Sequence, residues 1–294
     1  MKRILILITV CILLFAGCSH KEEPAQIAAT TLPVYEFTAQ LCQGTGITVT
    51  RLITEEVSCL HDYSLNVRQV RAAEAAEVII ISGAGLEAFW EDLFLGADIV
   101  DASAGIPLLE IAEGGHHHEE EESHHGHSHE NDPHIWLSPA NAMTMAENIC
   151  KGLCETYPEF ADTFRSNLSP LLDQISNVHT YGEEALASLS CRDLITFHDG
   201  FSYFADAFHL TILDAVEEES GSEASARELI HLIEEVEHHA LPAVFTEKNG
   251  SNSAASIIAR ETGCKTFTLD MAMNGTSWFD AMYHNIDTIK EALQ

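Results

Sequence analysis

Two hydrophobic patterns alternate along the chain, short apolar runs and longer stretches with helical spacing. The clearest run is Val78–Ile81, closed by a Ser/Gly-rich segment, which is typical of a strand covered on both faces. Further apolar or β-branched runs predict strands at 27–31, 47–53, 99–100, 194–197, 211–216, 243–246 and 265–269. Strands that alternate with helices at this spacing predict parallel α/β sheets.

The helical stretches are predicted at 33–41, 66–76, 86–94, 139–154, 159–189, 201–208, 222–239, 253–262 and 277–293. Ser138 is the expected cap of the fourth of them, with proline in its first turn. The stretch 159–189 contains no strand, and Pro170 is expected to kink it or to begin a new segment there. Because the βα alternation resumes afterwards, the pattern predicts two α/β lobes joined by one long helix.

These patterns give the following division of the chain: an N-terminal lobe at 26–157, a linking helix at 158–190 and a C-terminal lobe at 191–294. Two basic residues and an apolar run precede the first lobe, and the run is too short for a comfortable membrane span. It ends in Leu14–Cys18, which resembles a bacterial lipobox. We therefore expect 1–17 to be a lipoprotein signal peptide, Cys18 to carry the lipid and 18–25 to be a tether. The alternative is an uncleaved anchor.

Charge and cysteine content narrow the class of protein. The chain has 14 Lys+Arg against 46 Asp+Glu, a net charge of −32, which argues against nucleic acid as a partner and favours attraction of cations. An exported protein has the opportunity to form disulfides. Of the eight cysteines, Cys11 leaves with the predicted signal peptide and Cys18 carries the lipid. The remaining six allow fifteen pairings, so their spacing does not specify the connectivity. These six are Cys42, Cys59, Cys150, Cys154, Cys191 and Cys264.

A histidine- and glutamate-rich tract occupies residues 114–130. Such a mixture suits divalent metals, zinc above all, and we expect it to bind the metal weakly. The tract cannot bury apolar area, and so it is predicted to be a mobile loop. An expression tag is the plain alternative, but a tag is usually terminal and purely histidine. Its seven histidines are His116, His117, His118, His124, His125, His127 and His129.

Four candidate metal ligands follow predicted strands. His61 lies in the loop after the second strand, His134 follows the tract, and His198 and Asp270 directly follow two later strands. Open parallel sheets bind ligands at the carboxyl ends of their strands. For any one of these residues the plain alternative is a satisfied polar side chain. Glu247 also ends a strand; it is either a fifth ligand or an acceptor that orients an imidazole, and we favour the acceptor.

Five short motifs around these residues are, taken together, specific: they are HDY at 61–63, DPHIW at 132–136, FH at 197–198, VFTE at 244–247 and LD at 269–270. Together with FSYFADAFHL at 201–210, they resemble the metal-binding solute-binding lipoproteins of bacterial ABC importers. This zinc/manganese family is often called cluster A-I. The resemblance covers essentially the whole mature chain. It implies two parallel-sheet α/β lobes joined by a long rigid helix, with the metal in the cleft between the lobes.

The resemblance also implies the ligand set and the cargo. The family's ligand positions fall on His61, His134, His198 and Asp270, and a His-rich insert is typical of its zinc members. Three imidazoles and one carboxylate complete a zinc tetrahedron. Manganese prefers oxygen, and manganese members carry a carboxylate where His198 stands, so Mn²⁺ is the second choice.

We therefore expect a monomeric protein, lipid-anchored to the outer face of the bacterial cytoplasmic membrane, that delivers Zn²⁺ to an ABC permease and its ATPase. A manganese-binding protein of the same family is one alternative, and a surface zinc buffer or adhesin is another. A zinc hydrolase with Glu247 as general base would need an open coordination position. The sequence contains no HExxH, GxSxG or phosphate-loop motif, and so we expect no enzyme.

Overall fold

The computed structural model describes residues 26–56, 60, 63–88, 90, 96–110, 131–198, 200–217 and 224–294, with the backbone alone at 197, 198, 216 and 217. The predicted signal segment with Cys18, the ligand candidate His61, Cys59 and the tract at 114–130 lie outside these residues. Most of the predicted helix at 86–94 lies outside them as well.

The first half of the chain builds one parallel sheet of four short strands in the order β2-β1-β3-β4. These strands are β1 (Ile27–Ala29), β2 (Val49–Arg51), β3 (Val78–Ile81) and β4 (Asp98–Asp101). β1 and β2 pair along only three residues, so the strand predicted at 47–53 is shorter than its apolar run. Two helices return between the strands, α1 (Leu32–Leu41) and α2 (Val67–Ala75). Asn66 caps α2 in a capping box with Gln69, which fixes where this helix begins.

The turn after β3 is closed by a buried carboxyl group. Glu87 accepts hydrogen bonds from the Thr30 hydroxyl at 2.6 Å and from the backbone N–H groups of Ser82 and Gly83 at 2.8 and 3.0 Å. Burial raises the pKa of Glu87 to about 7. Gly83 has a φ of +81°, and a Cβ there would overlap the side chain of Asp101. The ends of β1 and β3 are therefore held together by side-chain contacts as well as by the strand ladder.

Two long helices follow the first sheet, α3 (Pro139–Thr156) and α4 (Ala161–Leu186), and they pack against each other. The Ser138 hydroxyl accepts a hydrogen bond from Asn141 N, which confirms Ser138 as the cap. α4 continues through Pro170, so the proline does not begin a new segment. Its missing N–H removes one bond of the helix ladder, but packing of α4 against α1, α3 and α8 (Trp278–Leu293) keeps the helix together.

The second half repeats the βα alternation with two parallel strand pairs. β5 (Asp193–His198) pairs with β6 (Thr211–Glu217), β7 (Ala243–Glu247) pairs with β8 (Lys265–Leu269), and β5 lies against β7. The helices of this half, besides α8, are α5 (Ser202–Ala207), α6 (Ala226–His238) and α7 (Ser253–Thr262). α6 begins later than the predicted residue 222, because Ser225 caps it in a capping box with Glu228. The predicted parallel α/β class is confirmed.

One large apolar core contains residues from both halves, including Phe37, Trp136 and Trp278. A smaller cluster lies between β7, α6 and α7. Within the described part of the chain, no helix is long and apolar enough to cross a membrane. The five described cysteines carry free thiols. Burial raises the pKa of Cys42 and Cys150 to about 12, so these thiols stay protonated and behave as small apolar side chains.

Candidate metal centre

His134 is the most completely described of the predicted ligands. Its side chain is 1% exposed, and its Nδ1 lies 2.7 Å from Oδ1 of Asp132. The same oxygen accepts the backbone N–H of His134 at 2.9 Å. An Nδ1–H that donates to a carboxylate leaves the lone pair of the ring on Nε2, which is the usual arrangement of a metal-binding histidine. The imidazole is therefore fixed in both orientation and tautomer.

The segment that carries His134 is tied to the second half of the chain through Asp132. The Tyr203 hydroxyl donates to the backbone carbonyl of Asp132 at 3.1 Å and accepts the N–H of Leu109 at 2.9 Å. Tyr203 lies in α5, five positions after His198. One phenol therefore joins three parts of the chain that are distant in sequence.

Two indole groups continue this connection towards Asp270. Trp136 Nε1 donates to the carbonyl of Met271 at 2.7 Å, and Trp278 Nε1 donates to the carbonyl of Trp136 at 3.0 Å. Both tryptophans are fully buried. Because a buried indole N–H that loses its acceptor costs free energy, these bonds hold the His134 segment beside the Asp270 segment.

Asp270 directly follows β8, as predicted, and is nearly buried. Its backbone N–H donates to Oδ1 of Asn285 at 2.8 Å, and its carbonyl accepts from Nδ2 of Asn285 at 2.7 Å. Oδ1 of Asp270 accepts the N–H of Ala272 at 2.9 Å, and Oδ2 accepts from Nζ of Lys248 at 2.9 Å. The carboxylate is thus held in place, and one of its oxygens is paired with the ammonium group of Lys248.

Two other predicted residues end strands of the second half. His198 is the last residue of β5, and its Cα pairs with that of Glu217. Glu247 is the last residue of β7, is 6% exposed and pairs with Leu269, the neighbour of Asp270. The structure therefore places Glu247 beside Asp270 along the strand ends. Its role as an orienting acceptor stays a prediction.

The loop that carries His61 is anchored at the described residues that flank it. Glu55 Oε2 accepts hydrogen bonds from the Tyr63 hydroxyl and from Nε2 of Gln69, both at 2.8 Å. The bond from Tyr63 is the main reason why the pKa of Glu55 is lowered. Leu60 is buried and its carbonyl accepts the N–H of Tyr63 at 3.0 Å. The described residues on either side of His61 are therefore bonded to one another and to Gln69 of α2.

Among the described side chains, no three His, Cys, Asp or Glu residues converge into a metal-binding group. That set lacks His61 and the side chain of His198, so convergence of the four predicted ligands stays a prediction. The sequence patterns predict neither the contact of Lys248 with Asp270 nor the hydrogen bond between Asp132 and His134. The contact of Lys248 depends on the register between β7 and β8, which the sequence pattern does not give.

Comparison with known proteins identifies the family. The family model described as "Zinc-uptake complex component A periplasmic" (ZnuA) matches residues 27–292. The zinc-binding lipoprotein AdcA of Streptococcus pneumoniae R6 is 28% identical over 311 residues, covering 99% of this chain and 61% of that protein. A putative metal-binding protein of Treponema pallidum is 26% identical, covering 86% of this chain and 82% of that protein. The chain therefore spans about three fifths of the length of its pneumococcal relative.

Solved structures agree with the family match. A crystal structure of ZnuA superposes with a TM-score of 0.79 at 27% identity and covers 92% of this chain and 100% of that one. A zinc-bound deletion mutant of ZnuA gives a TM-score of 0.77 at 26% identity, covering 92% of this chain and 98% of that one. A manganese-bound periplasmic protein of Candidatus Liberibacter asiaticus shares the fold, with a TM-score of 0.77 at 21% identity, covering 92% and 100% of the two chains.

Proposed function

Because the chain belongs to the family of periplasmic zinc-uptake complex component A, we propose that it captures Zn²⁺ outside the cytoplasmic membrane and delivers it to an ABC permease and its ATPase. The observation that carries this proposal is the buried imidazole of His134, whose Nδ1 is held at 2.7 Å by the carboxylate of Asp132. Carboxylate–histidine pairs of this kind orient zinc ligands and raise their basicity.

The proposed ligand set is His61, His134, His198 and Asp270. Three imidazole nitrogens and one carboxylate suit zinc better than manganese, which prefers oxygen. Four protein ligands fill a tetrahedron and leave no position for a reactive water, so the site binds cargo and performs no hydrolysis. The names of the relatives support zinc, since AdcA is a zinc-binding lipoprotein and one solved ZnuA structure contains zinc.

The remaining parts of the chain receive supporting roles in this proposal. Cys18 carries the lipid that keeps the monomer at the outer face of the membrane, near its permease. The tract at 114–130 binds additional zinc weakly, because seven histidines supply ligands but ordering the loop costs backbone entropy. The lobes at 26–157 and 191–294, joined by the helix at 158–190, bring the ligands together between them.

Metal content and zinc-limited growth test the proposal. Protein purified from its native source without a tag should carry zinc, and cells that lack the gene should need more zinc to grow. Restoring the full-length chain should restore growth, whereas restoring a His134→Ala variant should not. Native protein loaded with manganese would contradict the zinc assignment. Normal growth of the deleted cells at limiting zinc, with no other zinc importer present, would contradict the role in uptake.

A further inference from the structure

Lys248 and Asp270 form a charge pair at the strand ends of the second half. Nζ of Lys248 lies 2.9 Å from Oδ2 of Asp270. The carboxylate is 11% exposed and the lysine side chain is 48% exposed. Oδ1 already accepts the N–H of Ala272. A zinc ion that binds through Oδ2 would therefore lie against the ammonium group that already contacts this oxygen.

The backbone holds Lys248 level with Asp270. β7 and β8 are parallel and in register, with Glu247 opposite Leu269, and the N–H of Lys248 donates to the carbonyl of Leu269 at 2.8 Å. The N–H of Gly250 donates to the carbonyl of Glu247 at 3.0 Å and closes the turn. The backbone position of Lys248 is thus fixed, while its half-exposed side chain can move into solvent at little cost.

A divalent cation and an ammonium group repel each other strongly when both lie against one carboxylate. We propose that Lys248 competes with zinc for the carboxylate of Asp270 and thereby sets how readily the protein releases its cargo. This inference rests on the proposed function, since it needs Asp270 to be a zinc ligand. The pair is partly exposed, so the competition weakens binding moderately and does not block it.

A second carboxylate lies within electrostatic reach of the displaced lysine. The hydrogen bond and the charge of Asp270 are the main causes that raise the pKa of Lys248, and the charge of Glu56 adds to them. Glu56 is exposed and lies five positions before His61, in the first half of the chain.

Zinc affinity, measured by competition with a chromophoric chelator, tests this role. Lys248→Met should bind Zn²⁺ about two- to fivefold more tightly than the wild type, the range that corresponds to a half-exposed charge pair. Chelator-induced release should slow by a similar factor. Lys248→Arg, which keeps the charge, should stay close to the wild type. Lys265→Met is the matched control: it removes one charge from the opposite end of β8, and its affinity should not change.

The alternative is that Lys248 orients Asp270 for the metal, and then Lys248→Met would bind zinc more weakly. Weaker or unchanged affinity in this variant overturns the inference. The gain should shrink in 1 M salt, because salt screens exposed charges; a gain that persists there would also overturn it. Asp270→Asn separates the two proposals. If Asp270→Asn keeps the zinc affinity of the wild type, the proposed ligand set is refuted. If Asp270→Asn loses much of its affinity but Lys248→Met gains none, only the proposed role of Lys248 is refuted.

Discussion

The His134 side and the Asp270 side of the candidate centre are prepared for metal in different ways. His134 is fully buried, and its ring is held by the carboxylate of Asp132. The Tyr203 hydroxyl in turn fixes Asp132 by donating a hydrogen bond to the backbone carbonyl of Asp132. Asp270 is held through its backbone by Asn285, but its Oδ2 accepts a hydrogen bond from the half-exposed ammonium group of Lys248. The proposed nitrogen ligand is thus held in one orientation, and the proposed oxygen ligand is paired with a positive charge. If both side chains bind zinc as proposed, the His134 side favours capture of the metal and the Asp270 side favours its release.

The largest effect is expected from removing the preorganised side. His134→Ala should weaken zinc binding by about 100-fold or more, because it deletes a ligand and leaves the carboxylate of Asp132 buried without its imidazole. Calorimetry with ZnCl₂ measures the change. His209→Ala is the control, since its imidazole is largely exposed and pairs only loosely with Glu183 at 3.7 Å. Equal affinities of the two variants would show that His134 is not a ligand.

Weakening the contact between Asp132 and His134 while keeping the imidazole should have a smaller effect on zinc affinity. Asp132→Asn retains an oxygen that can accept the Nδ1–H of His134 but removes the negative charge behind the ring. Zinc affinity should fall by about tenfold, at the low end for residues that orient metal ligands. The fully exposed Asp162 provides the matched control, and Asp162→Asn should bind zinc as the wild type does. A wild-type affinity of Asp132→Asn would mean that the carboxylate serves the fold alone.

The smallest effect on the tight site, which is the one formed by the four proposed ligands, is expected from deleting residues 114–130. The deletion should abolish the weak additional zinc binding and leave the tight affinity within about twofold, because none of the four proposed ligands lies in the tract. Titration of both proteins with zinc gives the stoichiometry and the affinities. Loss of the tight site would show that the tract itself supplies ligands to it.

The sequence predicted local features well, and the structure explains where the prediction failed. The sequence predicts Val78–Ile81, Ser253–Thr262 and Lys265–Leu269 with their observed bounds. Local residues mark two of these ends, because Ser82 and Gly83 follow the first element and Gly263, with a φ of +77°, follows the second. The contact of Lys248 with Asp270 could not be predicted, because it depends on the register between two strands and on a side-chain direction. The bond from Tyr203 to Asp132 joins residues 71 positions apart, and no local pattern records it.

The most direct test of the central claim is the location of zinc in a crystal of the full-length chain grown with ZnCl₂. Anomalous diffraction at the zinc edge should show one strongly bound ion. Nε2 of His134, one imidazole nitrogen from each of His61 and His198, and a carboxylate oxygen of Asp270 should lie about 2.0–2.2 Å from it, with Lys248 turned away from that oxygen. A strongly bound zinc ion elsewhere, or any two of the four side chains too far apart to share one ion, would contradict the account.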